Sequence, residues 1–242
     1  MPDAPAETAA ACDVTPPEWV RALLADPELC RMGHGQRAAD GNLGLGWLYY
    51  ALVRMHRPRR VVCIGSWRGF VPIVLARALK ENGDGARLTF IDPSLVDDFW
   101  KDPQRTRAWF ESFGLDNVEH HCTTTQAFVE SEAWCSLGDV GLLFVDGYHT
   151  EEQARFDHEA FASRLAPDAF VFFHDSIRPK LARLYGPDRH YTHTVYRYID
   201  ELKRRPDLQV MDFPMDSGVT LVRRAGDTGT TTTRPAVTSP AT

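Results

Sequence analysis

The sequence predicts an α/β fold in which helices cover both faces of a doubly wound, seven-stranded and mostly parallel sheet. Short runs rich in Val, Ile, Leu and Phe alternate with helix-like segments, and the segments between successive runs are too long for hairpins. A chain of 242 residues, 43% of them hydrophobic, can bury one large core. We therefore expect a single domain over residues 16–225.

Five strands are expected in the middle of this domain, at 60–65, 87–92, 117–122, 140–146 and 169–175. Most are short, continuous apolar runs, which are typical of strands covered on both faces. Helix-like segments lie between them at 70–82, 97–113, 125–135 and 150–165. Because strand–helix–strand crossovers are right-handed, the five strands are expected to run parallel.

The pattern changes at both ends of the domain. An amphipathic helix is predicted at 43–56, where Trp47, Tyr49 and Tyr50 have the spacing of core residues. After a helix near 194–205, the runs LQVMDF and GVTLVRR are joined by the short turn PMDS. This arrangement predicts a closing antiparallel pair, and hence one antiparallel strand near the C-terminus.

Composition limits the classes of partner. Residues 1–15 and 226–242 are rich in Ala, Pro, Thr and Gly, so we predict two disordered tails. The net charge of -6 gives no general attraction to nucleic acid or to a membrane surface, which favours a small-molecule substrate. Neither a membrane span nor a secretory leader is evident, which predicts a cytoplasmic protein. The five cysteines show no C-x-x-C spacing, and we expect reduced, mostly buried thiols.

Polar residues and glycine end the predicted strands. In an open parallel sheet, ligands bind beyond the carboxyl ends of the strands. The residues at these ends are Gly65, Asp92, Cys122 with Thr123, Asp146, and His174 with Asp175. We therefore expect glycine, three carboxylates and a histidine to meet at one edge of the sheet.

The stretch CIGSWRG, residues 63–69, connects the first strand to an apolar helix. Gly65 permits a sharp turn and close approach of a ligand, and Gly69 permits close packing of the helix. Such a turn also occurs as a tight connection without a ligand. Asp92 lies 27 residues after Gly65, at the end of the next strand, where a carboxylate can accept hydrogen bonds from ribose hydroxyls. Together they predict a nucleoside site, although G-S-W-R-G departs from the G-x-G-x-x-G of nicotinamide enzymes.

Four stretches carry a more specific signal: VVCIGSWRG, FIDPS, LLFVDGYHTEEQARFD and LAPDAFVFFHDS. With them, residues 61–175 resemble a class I S-adenosylmethionine-dependent methyltransferase, and within that group the metal-dependent O-methyltransferases of the catechol, sugar and macrocin type. The resemblance implies a Rossmann-like sheet. It also implies transfer of a methyl group from S-adenosylmethionine to a hydroxyl of a small acceptor, a sugar or a secondary metabolite, in natural product biosynthesis.

The resemblance also implies which residues bind the cofactor. They are Gly65, Ser66, Arg68, Gly69, Asp92, Pro93, Thr124, Gln126 and Asp146, with the segment Thr123 to Gln126 bordering the adenine. Two positions depart from the family pattern: Cys63 replaces the usual acidic residue, and Val71 replaces a hydroxyl found in many relatives. We expect Arg68, or the loop with Gly41 and Asn42, to compensate at the amino-acid end of the cofactor.

A divalent metal, Mg²⁺ or Mn²⁺, is the other cofactor that the resemblance implies, with Asp146, His174 and Asp175 as its ligands. Such an ion would bind the acceptor hydroxyl and lower its pKa. His174 stands where relatives have an oxygen ligand, and imidazole suits Mn²⁺, Fe²⁺ or Zn²⁺ better than Mg²⁺.

Other routes stay open at this point. The catalytic candidates are His149, His174 and Asp146, and either histidine can serve as a general base without a metal. Asp157 either orients His149 or caps and solvates its own helix. The histidines can also be hydrogen-bonded loop residues without a catalytic part. His149, His174 and Asp146 or Asp175 can also form the iron site of an oxygenase. A non-catalytic nucleotide-binding scaffold on the same fold is a further alternative.

For three further segments, the sequence allows two alternative roles each. Residues 185–200 form an acceptor-binding lid or pack the helix before the last strands. Residues 33–44 fold over the cofactor or form a contact in a homo-oligomer. His120 and His121 are expected to pack at the end of the third strand rather than bind a metal.

Overall fold

The structure is a computed structural model that describes residues 17–226 except 32, 84 and 187. The predicted disordered tails lie outside the described residues, apart from Gly226. None of the helices in the described part of the chain has the length and hydrophobicity of a membrane span.

Eight helices are described. They are α1 Glu18–Leu24, α2 Gly46–His56, α3 Phe70–Asn82, α4 Pro103–Ser112, α5 Thr125–Phe128, α6 Glu132–Cys135, α7 Glu151–Phe161 and α8 Val195–Leu202. Nine strands are described with them. They are β1 Arg60–Ile64, β2 Arg87–Ile91, β3 Val118–His121, β4 Val140–Val145, β5 Leu165–His174, β6 Leu181–Ala182, β7 Tyr191–Thr192, β8 Leu208–Phe213 and β9 Val219–Arg224.

Seven of these strands form one sheet in the order β3-β2-β1-β4-β5-β9-β8. The first five are parallel, and β9 runs antiparallel to both of its neighbours, β5 and β8. The predicted fold class is confirmed, including the closing pair and the one antiparallel strand. The short pair β6 and β7 forms a separate two-stranded sheet.

The register aligns the strand ends. Ile64 of β1 pairs with Ile91 of β2 and with Val145 of β4, and Val145 pairs with Phe173 of β5. Because the paired residues are level, the residues that follow them meet at one edge of the sheet. The hydrogen-bond ladder extends to this edge, where Asp146 N donates to Ile64 O over 2.8 Å.

Helices cover both faces of the sheet. On one face α2 and α3 pack on the strands, and Tyr49 lies against Phe144 and Phe172. On the other face α7 and α8 bury Phe161 and Tyr198. Each large apolar side chain that is fully buried contributes roughly 1.5–3 kcal/mol to folding, so the two layers hold the strand ends in place.

Several predicted boundaries were wrong. Helix α7 ends at Phe161, and β5 begins at Leu165, which pairs with Val140 across a bulge. Helix α4 begins only at Pro103, because Asp102 caps it by accepting hydrogen bonds from two backbone amides. The segment 125–135 contains two short helices rather than one.

The described cysteines carry free thiols. Their burial differs from the expectation, since Cys63 is buried and Cys30 half-buried, but Cys122 and Cys135 are exposed.

Candidate functional site

A cavity of about 480 Å³ lies beyond the carboxyl ends of the central strands. Residues after β1, β2 and β3 line one end of it, which we call the donor end. Residues after β4 and β5, together with the β6–β7 hairpin, line the other, which we call the acceptor end. Most of the site residues predicted from the sequence line this cavity, at one end or the other. They are Gly65, Ser66, Arg68, Asp92, Pro93, Thr124, Gln126, Asp146, His149, His174 and Asp175.

The turn after β1 requires glycine at its first position. Gly65 has a φ of 73°, and a Cβ there would overlap the carbonyl oxygen of Asp146 and lie 2.6 Å from the Cα of Gly147. The strand end therefore packs directly on the backbone after β4. Gly69 is not among the lining residues; it caps α3 with a φ of 91°, and a Cβ would meet Trp100 at 3.1 Å.

Asp92 is fixed at the donor end by two backbone amides. Ser94 N donates to its Oδ1 over 2.7 Å, and Ser66 N donates to its Oδ2 over 3.1 Å. Burial nevertheless outweighs these bonds and raises the pKa of Asp92 to about 6. The carboxylate is oriented toward the cavity with lone pairs left for a ligand's hydroxyls.

Arg68 is held by its neighbours. Its guanidinium stacks on the rings of Trp67 and Phe99, at 4.0 and 4.4 Å from their centroids, and pairs with Asp97 at 2.7 Å. Its positive charge is therefore shared with a carboxylate. Arg31, which sequence reasoning missed, also lines the donor end.

The two departures from the family pattern lie in the core. Cys63 and Val71 are fully buried and do not line the cavity, and burial raises the pKa of the Cys63 thiol well above its usual range. The loop with Gly41 and Asn42, expected to compensate, does not line the cavity either. Asn42 instead pairs with Arg37 in an isolated bridge.

Thr124 and Gln126 lie at the rim of the donor end. Thr124 caps α5 through its hydroxyl, which accepts from Ala127 N at 3.2 Å. The Gln126 amide donates to the side chain of Gln153 over 2.9 Å. The start of α5 therefore forms a fixed wall beside Asp92.

Asp146 is the centre of the acceptor end. Its Oδ1 lies 2.7 Å from His174 Nδ1 and 3.2 Å from His149 Nε2. The His174 contact is a close ion pair without the alignment of a hydrogen bond. Asp157, the group expected to orient His149, instead accepts a hydrogen bond from Gln153 over 2.8 Å, and burial raises its pKa to about 6.

Charge at this end is balanced within the protein. Burial would lower the pKa of His174, but the carboxylates of Asp146 and Asp175 outweigh it and raise that pKa to about 9. Burial would raise the pKa of Asp146, but His174 and His149 hold it well below its usual range. His174 is therefore a buried cation at neutral pH and does not fit the role of a base.

Asp175 is surrounded by donors that the sequence did not reveal. Lys180 Nζ lies 3.1 and 3.2 Å from its two oxygens, His193 Nδ1 lies 2.8 Å from Oδ2, and the Ser217 hydroxyl donates to Oδ1. His174 is farther away, with Nε2 at 3.8 Å. Burial opposes ionisation of Asp175, but His174 above all, together with His193, His149 and Ser217, holds its pKa well below the usual range.

The predicted metal ligands do not form one site. Among the described residues, one-atom donors come together in two other sets, His34 with Asp146 and His174, and His149 with Asp175 and His193. Asp146, His174 and Asp175 are therefore not assembled around one ion.

The two observed sets do not suit one ion either. Each contains a stacked pair of imidazoles, His34 on His174 at 4.3 Å and 29°, and His149 on His193 at 4.4 Å and 19°. An ion must lie in both ring planes, about 2.1 Å from each nitrogen, but the lone pairs of stacked rings run nearly parallel. The Lys180 ammonium also forms an ion pair with Asp175, where one of these ions would have to bind. The donors present do not fit a divalent metal in this arrangement.

The segment 33–44 reaches the site only through its start. The His34 ring is buried between His174 and Phe70, and its Nδ1 lies 3.1 Å from the hydroxyl of Tyr49. Burial lowers the pKa of His34 to about 3, so it is a neutral neighbour of the charged His174. Residues 33–44 are not among the lining residues of the cavity.

Aromatic side chains form the outer wall of the acceptor end. Tyr148 stacks on Tyr191 at 4.2 Å and 17°, and Tyr185 lies 5.8 Å from Tyr148. In the segment 185–200, Tyr185 and Tyr191 line the cavity and Tyr198 packs in the core. The packing role is thus observed for Tyr198, and the acceptor-binding lid stays a prediction. His120 packs on Phe90 and His121 on Phe128, which agrees with the packing expected for both.

The resemblance to methyltransferases that the sequence predicts is confirmed by comparison with known families. Residues 62–176 match the model of a family described as a methyltransferase domain. Within the described residues, this stretch of the chain is therefore similar to a methyltransferase domain. A search of curated proteins gives no match.

Solved structures agree in fold. The O-methyltransferase TomG from Streptomyces achromogenes, which is involved in tomaymycin synthesis and was solved with S-adenosylmethionine, superposes with a TM-score of 0.60 at 21% identity, over 89% of this chain and 93% of that one. An O-methyltransferase from Bacillus cereus in complex with S-adenosylhomocysteine (SAH) superposes with a TM-score of 0.61 at 16% identity, over 88% of this chain and 94% of that one. A methyltransferase from Geobacter sulfurreducens superposes with a TM-score of 0.53 at 23% identity, over 74% of this chain and 77% of that one.

Proposed function

We propose that this protein transfers the methyl group of S-adenosylmethionine to a hydroxyl oxygen of a small acceptor, a sugar or a secondary metabolite. The observation that carries the proposal is that one cavity joins Asp92 at the donor end to Asp146 and His149 at the acceptor end. The family match supports methyl transfer, and the relatives solved with S-adenosylmethionine or SAH support the donor.

At the donor end, the Asp92 carboxylate accepts hydrogen bonds from the two ribose hydroxyls. The segment Thr123 to Gln126 borders the adenine, and the turn of Gly65 and Ser66 receives the methionine part. The positive end of α3 and the guanidinium of Arg31 favour the carboxylate of that methionine part. Binding of this kind holds the sulfonium methyl toward the acceptor end.

His149 is the base in this proposal. When His149 Nε2–H donates to Asp146, Nδ1 carries the free lone pair, and Asp146 fixes the tautomer and the orientation of the ring. The acceptor hydroxyl gives its proton to Nδ1, and its oxygen forms a bond to the methyl carbon. The bond between that carbon and sulfur breaks, and its electron pair converts the sulfonium to a neutral thioether. Alignment of oxygen, carbon and sulfur lowers the barrier further.

The metal-assisted route expected from the resemblance is not part of this proposal, because the donors do not fit one ion. The iron oxygenase alternative needs His149, His174 and one carboxylate on the same ion, and those residues do not form one of the two observed sets. The cytoplasmic location, the role in natural product biosynthesis and the homo-oligomer stay predictions.

The test begins with SAH, the product of methyl transfer, in a titration calorimeter. We expect saturable binding with one site per chain. Incubation with isotopically methyl-labelled S-adenosylmethionine and a panel of sugar, phenolic and polyketide acceptors should then give a labelled product heavier by one methylene unit. No heat of binding from a sample that unfolds cooperatively contradicts the proposal. Binding without turnover, together with unchanged activity in cells after His149→Gln, would favour the scaffold alternative.

A further inference from the structure

We propose that the ammonium group of Lys180 supplies the fixed positive charge at the acceptor end, in place of a divalent metal. The methyl transfer described above then requires no metal ion. The inference rests on the proposed function for its chemistry, but its structural part, a carboxylate site already filled by a lysine, stands independently.

The contacts of Lys180 carry the inference. Its Nζ lies within 3.2 Å of both Asp175 oxygens and 3.1 Å from Ser217 Oγ. The Asp175 side chain is 3% exposed, whereas that of Lys180 is 44% exposed and lines the cavity. The charged group thus bridges a buried carboxylate and the space available to the acceptor.

The backbone around Lys180 is held on both sides. Lys180 O accepts a hydrogen bond from His193 N over 2.8 Å, at the base of the β6–β7 hairpin. Both residues at this base therefore direct side chains to Asp175.

The segment before Lys180 is fixed to the turn that precedes β9. Ile177 N donates to Ser217 O over 3.4 Å. Gly218, with a φ of 86°, leaves no room for a Cβ because Ile177 packs against it. Ser176 Oγ and Thr220 Oγ1 form a hydrogen bond of 2.8 Å. Lys180 is therefore positioned by the fold and differs from a mobile surface lysine.

The positive charge of Lys180 has two consequences, one for metal binding and one for the transfer. A second cation at Asp175 would meet the Lys180 ammonium at short range, so the site disfavours a divalent ion. As the acceptor hydroxyl loses its proton to His149, negative charge grows on its oxygen, and a preorganised ammonium stabilises that charge. Asp175 and Ser217 keep the ammonium in place during the step.

The first experiment measures turnover with and without EDTA, and after addition of Mg²⁺ or Mn²⁺. We expect the wild-type rate to be the same in all three conditions. Loss of activity in EDTA that Mg²⁺ or Mn²⁺ restores would overturn the inference. This measurement needs no variant and so does not depend on the folding of one.

The second experiment compares Lys180→Met and Lys180→Arg with Lys80→Met. Lys80 is a matched control, since it is 42% exposed and pairs with Asp116 at 2.8 Å on the surface. We expect Lys180→Met to lower kcat by about tenfold or more, with the KM for S-adenosylmethionine unchanged. Lys180→Arg should recover part of kcat, and Lys80→Met should match the wild type. Full kcat in Lys180→Met would overturn the inference.

A third measurement has a readout other than activity. Electron paramagnetic resonance of free Mn²⁺ should show no saturable binding to the wild type, either alone or with SAH. Tight Mn²⁺ binding that Asp175→Asn abolishes would overturn the inference. Failure of the wild type to bind SAH would instead contradict the proposed function, and the Mn²⁺ result would still decide whether Lys180 fills the site.

Discussion

The backbone amide of Ser66 donates to Oδ2 of Asp92 over 3.1 Å, which joins the turn after β1 to the residue after β2. A second amide, from Ser94, fixes the other oxygen. The carboxylate therefore reaches the cavity in one orientation before any ligand binds. Such preorganisation lowers the entropic cost of binding.

Asp92→Asn should weaken SAH binding by about tenfold to a hundredfold, because hydrogen bonds to a charged group are worth about 1.5–3 kcal/mol each. Titration calorimetry at neutral pH measures the change. Asp116→Asn, which alters an exposed aspartate paired with Lys80, is the control and should bind SAH as the wild type does. Equal affinities in the two variants would remove Asp92 from the donor site.

Binding of SAH should also depend on pH. Burial raises the pKa of Asp92 from 3.8 to about 6, so the carboxyl gains a proton as the pH falls through that value and accepts hydrogen bonds less well. We expect the affinity to fall between pH 7.5 and 5, with a midpoint near 6, and the dependence to be flat in Asp92→Asn.

The effect of this group on folding has the opposite sign. Between the ordinary pKa of 3.8 and about 6, the folded state holds a proton that the unfolded state has lost. The contribution of Asp92 to the free energy of unfolding therefore rises as the pH falls through this window. A loss of SAH affinity in this range is thus not a consequence of Asp92 destabilising the fold.

Gly65→Ala should destabilise the protein by about 3 kcal/mol or more, since it combines a strained φ with overlap against the backbone after β4. Gly85→Ala is the matched control, because Gly85 has a similar φ of 65° and nothing within 4 Å of its added Cβ. That variant should lose only the conformational cost of about 1–2 kcal/mol. Urea unfolding followed by circular dichroism compares them, and equal losses would refute the steric argument.

His149→Gln should lower kcat by about a hundredfold or more, which is the usual contribution of a general base. The affinity for SAH should not change, since His149 lies at the acceptor end. His56→Gln is a control of matching burial, 17% exposed against 16% for His149, and lies beside Phe170 away from the cavity. An unaltered kcat in His149→Gln would transfer the role of base to another group.

Tyr191→Leu should raise the KM for the acceptor by roughly tenfold, because it removes a stacked aromatic pair worth about 0.5–1.5 kcal/mol as well as contact area. Steady-state kinetics at saturating S-adenosylmethionine separates this change from any effect on the donor. Tyr196→Leu, on α8 and outside the cavity lining, should behave as the wild type. A change confined to the KM for S-adenosylmethionine would place Tyr191 at the donor end instead.

The sequence predicted the residues whose position depends on strand ends alone. Apolar runs mark the strands, and a parallel sheet brings their carboxyl ends to one edge, so Asp92 and Asp146 could be located before the structure was known. The family motif added His149. These predictions needed only the direction of each strand and the residue at which it ends.

Residues delivered by loops could not be predicted in the same way. Lys180 and His193 meet at Asp175 because the β6–β7 hairpin pairs Leu181 with Thr192, and a pairing of two residues leaves little signal in a sequence. Ser217 depends on the turn before β9. His34 reaches His174 from a segment 140 residues earlier, through contacts that no local pattern encodes.

The same dependence on tertiary contacts explains why the sequence could not show whether the predicted ligands fit a metal ion. A motif that ends two strands in Asp and His-Asp gives the identity of the donors but not their orientation. The stacking of His34 on His174 and of His149 on His193 sets the direction of each lone pair, and Lys180 sets the local charge. Both are tertiary properties.

The lining of the cavity is divided along the chain. The donor end is formed by Arg31 and by residues between 64 and 126, and the acceptor end by residues between 146 and 193. Strand β4 is the border between the two groups. Exchanging the second stretch between related enzymes should therefore alter which molecule is modified while methyl-donor recognition is retained. The β6–β7 hairpin, which contributes Tyr191 to the acceptor end, is the natural starting place for engineering a new selectivity.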